Sequence, residues 1–98
     1  MENCPNCYKK KPRDEKLVKT LKTRINRLTG QLNGVSKMID ENRYCSDILI
    51  QISAIESALK EVGFIIFNEH MKSCVADDIK VDDYSSLDEA IELAKKIL

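Results

Sequence analysis

The feature that most constrains the fold is a proline-free stretch, residues 44–75, in which one set of positions recurs at steps of four and three residues. This spacing is typical of a long helix that packs against another helix along a single seam. The seam consists of Cys45, Leu49, Ile52, Glu56, Leu59, Gly63, Ile66, His70 and Cys74. It therefore carries two of the four cysteines and the only histidine of the chain.

The three potential metal ligands of this seam, Cys45, His70 and Cys74, lie within about 40° of one another at 100° per residue. His70 and Cys74 are one turn apart and could bind one ion together, whereas Cys45 lies about 37 Å from His70 on a continuous helix. Two antiparallel copies that pair position 45 with position 74 would bring all three together. The spacing thus predicts a symmetric dimer with two intersubunit sites, unless the helix bends at Gly63.

Two thiolates and one imidazole form a soft ligand set, which favours Cu(I) or zinc over magnesium or calcium. Zinc usually takes four ligands, so a set of three favours Cu(I). If a carboxylate or the N-terminal arm supplied a fourth ligand, zinc, nickel or cobalt would again be candidate metals. A half-buried histidine beside structural cysteines is the non-functional explanation of the same residues.

The N-terminal arm, residues 1–13, contains Cys4 and Cys7 in a CxxC pair and shows no apolar periodicity. We expect this segment to be flexible. No second CxxC pair follows that would complete a structural zinc site. The pair is therefore interpreted either as part of a passive tail or as an accessory metal-binding or redox site.

A second stripe predicts a first helix that begins at the N-cap Asp14 and ends near residue 41. Its apolar positions are Leu17, Leu21, Ile25, Leu28, Leu32, Val35 and Ile39. We expect a short break before the central helix and a single all-α domain over residues 14–98. Apolar residues on more than one side of the central helix predict a four-helix bundle built from two chains.

The last part of the chain is acidic. Residues 76–85 are expected to end in a connecting loop, and Ser86 with Glu89 is expected to form a capping box that starts a short third helix. Residues 44–98 hold five Lys and Arg against eleven Asp and Glu, whereas residues 1–43 hold eleven against five. The basic half could bind a polyanion such as DNA, although solvated helix faces explain the charges equally well.

The chain shows no long apolar run and no feature of a secreted or membrane protein, so we expect it to be cytoplasmic. Four cysteines in a reducing compartment indicate metal ligands or redox sensors more than disulfides. Residues Cys45 and His70 could pair as thiolate and imidazole, but no oxyanion donor or Gly-rich turn accompanies them, and an enzyme is not predicted.

The motifs RxxRxxGQ, YCxDIL followed by QISA, and HxxxCV occur in this order within residues 17–75. On these motifs the sequence resembles the copper-sensing repressors of the CsoR/RcnR family. The resemblance implies antiparallel dimers assembled into disc-shaped tetramers, which bind operator double-stranded DNA when metal-free. It also implies that Cu(I) releases the DNA and derepresses copper efflux or resistance genes. A copper chaperone is a further candidate partner.

The resemblance assigns the metal to Cys45 of one subunit and to His70 and Cys74 of the other. The family's nickel and cobalt branch carries histidine at the position of Cys74, and its persulfide sensors lack the histidine, so both differences favour copper. Tyr44 and a glutamate of the third helix match residues that support the ligands. Glu89 is closest in spacing for this glutamate, with Glu92 as the alternative.

DNA binding is assigned by the same resemblance. Arg24 aligns with a DNA-binding arginine of the family, and Arg27 follows it by three residues. A second basic position falls on Glu61 here, so the adjacent Lys60 is the candidate contact. Because this position is acidic here and basic in the family, the resemblance does not determine the operator affinity or the operator sequence.

Two other functions are compatible with the residues. One is a repressor of the same fold that senses oxidants, persulfide or formaldehyde through Cys45, with or without Cys4 and Cys7. The other is a copper-buffering protein that does not bind DNA.

Overall fold

The computed structural model describes residues 13–97, and within that range it contains helices and no strands. The helices are α1 (Glu15–Asp40), α2 (Cys45–His70), a π-helical turn (Met71–Val75), α3 (Ala76–Lys80) and α4 (Ser85–Ile97). Because α2, the π-helical turn and α3 follow one another without a break, residues 13–97 form three helical segments. The predicted all-α class is confirmed. The predicted N-terminal arm, including Cys4 and Cys7, lies outside the described residues except for Arg13.

The bounds of α1 agree with the sequence pattern. The helix follows Asp14, whose carbonyl accepts a hydrogen bond from the Val18 N–H at 3.0 Å, although the Asp14 side chain makes no capping hydrogen bond. At the other end, Asn42 has a left-handed φ of 54°, and the Arg43 N–H donates to the carbonyl of Met38 at 3.0 Å. This six-to-one bond is a Schellman motif, which satisfies a carbonyl left open at the helix end.

The acidic residues 76–85 end in a connecting loop, as predicted, because α3 ends at Lys80 and α4 begins at Ser85. A second Schellman motif ends this helix: Asp82 has φ 59°, and the Asp83 N–H donates to the carbonyl of Asp78 at 2.9 Å. Aspartate tolerates the left-handed region better than most residues, so acidic residues here mark a helix end rather than an extended loop.

The predicted capping box of Ser86 and Glu89 does not form, so this prediction is wrong. Helix α4 begins one residue earlier, at Ser85, whose backbone N–H and hydroxyl both donate to the Asp83 carboxylate, at 3.0 and 2.7 Å. These two hydrogen bonds lower the pKa of Asp83. The Ser86 hydroxyl is buried instead and finds no hydrogen-bond partner within the described part of the chain.

The π-helical turn lies directly after His70 and contains Cys74. The Ser73 hydroxyl donates to the carbonyl of Glu69 at 2.8 Å. A serine that bonds the carbonyl four residues earlier competes with the regular backbone ladder and tends to distort a helix. Single π-helical turns inside α-helices are frequent at functional sites, so this one draws attention to the segment around Cys74.

The chain divides into two compact units, of which the described parts are residues 13–62 and residues 63–97. The buried apolar residues of the first unit are Leu21, Leu28, Val35, Ile55 and Val62. The α1 members of this set recur every seven residues. The alternate members of the same stripe, Ile25, Leu32 and Ile39, are exposed, as are Leu49 and Leu59 of the predicted α2 seam. One side of the α1 stripe is therefore covered within the chain and the other side is open. On α2, the buried Ile55 and Val62 lie outside the predicted seam.

The second unit buries polar and apolar side chains together. Its buried residues are His70, Cys74, Val75, Asp78, Ser86 and Ala90. The π-helical turn contacts both α3 and α4, which places Cys74 and Val75 at the centre of this unit. No helix within the described range is long and apolar enough to cross a membrane.

Candidate functional site

Two of the predicted metal ligands, His70 and Cys74, are buried in the second unit. His70 is the last residue of α2 and is 6% exposed, and Cys74 in the π-helical turn is 2% exposed. Burial lowers the pKa of His70 below its usual value, and Glu89 opposes this shift with its negative charge. A lowered pKa keeps the imidazole neutral at physiological pH. A neutral imidazole has the free electron pair that metal coordination requires.

The sulfur of Cys74 is disulfide-bonded in this structure. Metals bind the thiolate form of cysteine, so this position can act as a ligand only in the reduced protein. The Ser73 hydroxyl oxygen lies 3.7 Å from the Cys74 sulfur. A serine hydroxyl next to a ligand sulfur could adjust its basicity, because hydrogen bonds to coordinating sulfur are one of the means by which proteins tune metal sites.

The structure favours Glu89 over Glu92 as the acidic residue that supports the histidine. After burial, Glu89 has the largest influence on the pKa of His70, and one of its carboxylate oxygens is buried. Glu92 is exposed instead and accepts a hydrogen bond from Lys95 at 3.1 Å. A carboxylate that is to orient a ligand must lie beside it, and within residues 63–97 Glu89 meets this condition.

The remaining predicted ligand, Cys45, belongs to the first unit, where it is the first residue of α2. Its thiol is free and exposed, and Tyr44 beside it is also exposed. Among residues 13–97, no three His, Cys, Asp or Glu side chains come close enough together to hold a metal ion. The described part of one chain therefore does not assemble the predicted ligand set by itself.

A basic groove lies on α1 in the first unit. It is an open groove of about 630 Å³, lined by Lys16, Lys19, Thr20, Thr23, Arg24 and Arg27. Four cations and two hydroxyls on one helix face provide charge and hydrogen-bond donors for phosphate groups. The predicted DNA contacts Arg24 and Arg27 are thus brought together. Lys60 on α2 is exposed but does not line this groove, and Glu61 is exposed beside it.

Sequence reasoning missed Asp78, which is 0% exposed and raises the pKa of His70, although less than Glu89 does. From the sequence, Asp78 belongs to the acidic residues 76–85 that end in a connecting loop, and no role is predicted for it. The available signal was spacing: His70, Cys74 and Asp78 follow one another at steps of four residues, as neighbours on one helix face do.

The sequence model of the family described as metal-sensitive transcriptional repressor matches residues 18–96. The chain belongs to this family. It is 40% identical over 74 residues to the copper-sensing transcriptional repressor CsoR of Bacillus subtilis (strain 168), covering 74% of this chain and 73% of the relative. As a metal-sensitive repressor, the protein is a regulator of transcription and not an enzyme.

Two solved structures are similar to this metal-sensitive repressor. The Cu(I)-bound copper-sensing repressor CsoR from Geobacillus thermodenitrificans NG80-2 matches with a TM-score of 0.82 and 40% identity, covering 88% of this chain and 91% of that one. The nickel-responsive transcriptional regulator InrS matches with a TM-score of 0.73 and 29% identity, covering 91% and 99%. The fold is thus shared by a copper and a nickel regulator, so the ligands and not the fold must determine the metal.

Proposed function

We propose that this repressor responds to Cu(I). It binds operator DNA in the metal-free form, releases it when Cu(I) binds, and so derepresses copper efflux or resistance genes. The observation that carries the proposal is the buried pair His70 and Cys74 in a chain whose relatives in Bacillus subtilis and Geobacillus thermodenitrificans are named copper-sensing. A repressor acts where its operator lies, which places the protein in the cytoplasm.

The donor atoms fit Cu(I). Cys45 and Cys74 offer two thiolates and His70 offers a neutral nitrogen, and such soft ligands select Cu(I) over hard ions. When bound, the metal supplies bonds that hold these three side chains at one point. Glu89 would accept the ring N–H that faces away from the metal and so fix the orientation of the imidazole. Tyr44, next to Cys45 in sequence, is the proposed link between this ligand and the α1–α2 turn.

A second copy of the chain would complete the site. The open side of the α1 stripe and the exposed Leu49 and Leu59 of α2 provide apolar surface that a partner can bury. An antiparallel α2 pair that places Cys45 opposite Cys74 uses the α2 part of this surface. The expected product is a four-helix bundle dimer, and pairing of two dimers would give the disc-shaped tetramer.

The operator is proposed to bind at the basic groove. Arg24 and Arg27 would contact phosphate oxygens, and the exposed Lys60 would add a contact from α2. Phosphate contacts supply affinity and depend on salt, because each one releases condensed counterions. A symmetric assembly repeats the groove, which increases the number of phosphates that one protein can contact.

Metal and DNA would act on each other by reciprocal linkage. The proposed ligands come from two subunits, so bringing Cys45 to His70 and Cys74 changes how the helices of the assembly are placed. The cations of α1 would then no longer match the phosphate spacing. Allosteric couplings of this kind are typically about 1–3 kcal/mol, or roughly 5-fold to 150-fold in affinity.

The test combines metal and DNA binding on reduced protein without oxygen. Cu(I) is titrated against a chromophoric chelator, and operator affinity is measured with and without Cu(I) on a duplex selected from random DNA by the metal-free protein. We expect one Cu(I) per chain and an operator affinity that falls roughly 5-fold to 150-fold on saturation. Unchanged operator affinity at saturating Cu(I) would contradict the proposal.

Matched variants separate the two activities. His70→Ala and Cys45→Ser should lose tight Cu(I) binding and keep operator binding, whereas Ser46→Ala, next to Cys45, should change neither. Arg24→Ala should weaken operator binding and reduce its salt dependence by about one counterion. Arg43→Ala removes another exposed cation, which lies outside the basic groove, and serves as its control. Cu(I) binding that survives both ligand variants would place the metal elsewhere, with Cys4 and Cys7 as the first candidates.

One observation favours a second candidate, a thiol-sensing repressor of the same fold. Cys45 is a free, exposed thiol and the first residue of α2, so a small reagent can reach it. Oxidant, persulfide or formaldehyde would then modify Cys45 and release the operator. Mass spectrometry of the exposed protein, followed by the operator assay, separates this sensor from a copper sensor: modification with loss of DNA binding, and no effect of Cu(I), would favour it.

A further inference from the structure

The N-terminal cysteine pair is a motif that the proposed function does not use. Cys4 and Cys7 are spaced as a CxxC pair, and the proposed set of Cu(I) ligands is complete without them. The pair lies outside the described residues. Its role is therefore inferred from the two cysteines that the structure describes, Cys45 and Cys74.

The two described cysteines differ in their bonding. Cys45 is a free, exposed thiol, whereas Cys74 is 2% exposed and disulfide-bonded. The chain has four cysteines in all. A disulfide joins two cysteines and Cys45 is free, so the partner of Cys74 within one chain is Cys4 or Cys7.

We propose that Cys74 is a redox modification site, which forms a disulfide with Cys4 or Cys7 of the same chain when a peroxide oxidises the protein. The consequence for copper rests on the proposed function, in which Cys74 is a ligand of Cu(I). Metals bind the thiolate form of cysteine, so the disulfide removes one of the three proposed ligands. Oxidation would then prevent the repressor from responding to Cu(I).

The arm is long enough for this bond, and the compartment makes the bond reversible. Cys4 and Cys7 precede Arg13, the first described residue, by nine and six residues. Extended chains of these lengths span roughly 30 and 20 Å, so the arm can reach beyond the surface of α1. In a reducing compartment disulfides are usually transient and serve catalysis or redox sensing, which favours a switch over a structural link.

The reaction is balanced with hydrogen peroxide as the oxidant. Peroxide transfers one oxygen atom to the sulfur of one cysteine, which becomes a sulfenic acid, and one water is released. The sulfur of the second cysteine attacks this sulfur, the S–S bond forms as the S–O bond breaks, and a second water leaves. Two thiols thus lose two electrons and two protons, and one peroxide is reduced to two waters.

The experiment maps the disulfides of the full-length chain by mass spectrometry. Reduced, metal-free protein is treated with one equivalent of hydrogen peroxide, the remaining thiols are alkylated, and trypsin is added without a reductant. Trypsin separates the cysteines into three peptides, residues 1–9, 44–60 and 73–80. We expect peptide 1–9 linked to peptide 73–80, and single chains on a non-reducing denaturing gel.

Two outcomes of this mapping would overturn the proposal. One is a link between peptides 73–80 and 44–60, which would pair Cys74 with Cys45. The other is an unlinked peptide 73–80, whether or not Cys4 and Cys7 pair with each other. As a control, Cys45→Ser removes the other described thiol and should still give the link between peptides 1–9 and 73–80.

Cu(I) affinity, measured against a chromophoric chelator after the peroxide is removed, connects the disulfide to the metal. The linked protein should bind Cu(I) at least about 100-fold more weakly than the reduced protein, because losing only the groups that support a ligand costs about 10-fold to 100-fold. Dithiothreitol should restore the affinity. Unchanged Cu(I) affinity in the linked protein would overturn the proposed effect of oxidation on copper binding.

The two measurements distinguish failure of this inference from failure of the proposed function. Reduced protein that binds no Cu(I), but still forms the link when oxidised, would contradict the copper function and support the redox site. Reduced protein that binds Cu(I) tightly, but forms no link to peptide 1–9, would support the copper function and overturn the redox site.

Discussion

The two units of the chain bury different kinds of side chain. Residues 63–97 enclose a histidine, a cysteine, an aspartate and a serine beside Val75 and Ala90. The side chains that residues 13–62 bury are apolar, and other apolar side chains on both helices are exposed, among them Leu32 and Leu59. Helix α1 in this unit carries six Lys and Arg against two acidic residues, whereas residues 63–97 carry four against eight.

This difference shows how sensing and DNA binding can be separated within a short chain. The acidic unit contains two proposed ligands and the carboxylates around them, so its polar core is formed before a partner arrives. Residues 13–62, the basic unit, expose apolar surface that contributes to stability only when another chain covers it. The positions of His70 and Cys74 should therefore depend on local packing in residues 63–97, whereas the contribution of Cys45 from a second chain and the DNA affinity should depend on assembly through residues 13–62.

The largest effect is expected from a charge on the open side of the α1 stripe. Leu32 is 56% exposed, whereas Leu28 on the covered side is 6% exposed. Leu32→Glu should dissociate the reduced protein into monomers and abolish operator binding, because a charge cannot be buried at an apolar interface. Analytical ultracentrifugation gives the mass. Gln31→Glu adds the same charge at the neighbouring exposed position and should leave the assembly intact. If the Leu32→Glu protein keeps the wild-type mass, this surface is not part of the interface.

A smaller effect is expected from the core of the acidic unit. Val75 is 1% exposed, and Val75→Ala should lower the free energy of unfolding by about 2 kcal/mol, because the deleted methyl groups leave a cavity. The same change at Val81, which is 69% exposed, is the control and should have little effect. Urea denaturation at equal protein concentration compares the two. Equal losses at both positions would mean that the core described for residues 63–97 does not form in solution.

The smallest effect concerns pH. Burial lowers the pKa of His70 in the folded protein, so the unfolded chain binds more protons as pH falls below about 6.5. Above this pH the buried neutral imidazole of His70 does not reduce the free energy of unfolding, and stability is lost as pH falls towards the pKa of His70 in the folded protein. Reduced, metal-free protein should thus unfold at lower urea concentration at pH 5.5 than at pH 7.5. His70→Gln should reduce this difference, since the chain has no other histidine. An identical pH dependence in His70→Gln would show that the imidazole is not buried.

Much of the fold could be predicted because helix periodicity and helix ends are local properties. The apolar stripe located α1 to within one residue at each end, and the break after it lies where the pattern changes. The α2 seam was found as a set of positions, but a stripe does not tell which neighbour covers it. The structure shows that Leu49 and Leu59 lie open within the chain, while Ile55 and Val62 are buried.

The candidate site was predicted only in part, because burial of polar groups leaves little trace in a sequence. Asp78 stands in an acidic run, and acidic runs normally mark solvated segments. Its burial depends on the continuation of the helix through the π-helical turn, for which no apolar pattern gives a signal. Ser86 is predicted to cap α4 because serine is a common N-cap residue. In the structure Asp83, three residues before Ser86, accepts the hydrogen bonds at the start of α4 instead.

The π-helical turn also changes the phase of the helix that contains it. A hydrogen bond from residue i to i+5 encloses one residue more than the α-helical bond, so side chains after Val75 are rotated by about 100° relative to an uninterrupted helix. A relative lacking one residue of this turn would direct a different neighbour of position 78 into the core. Insertions and deletions of a single residue here would therefore exchange the buried side chain beside the ligands and leave the length of the following loop unchanged.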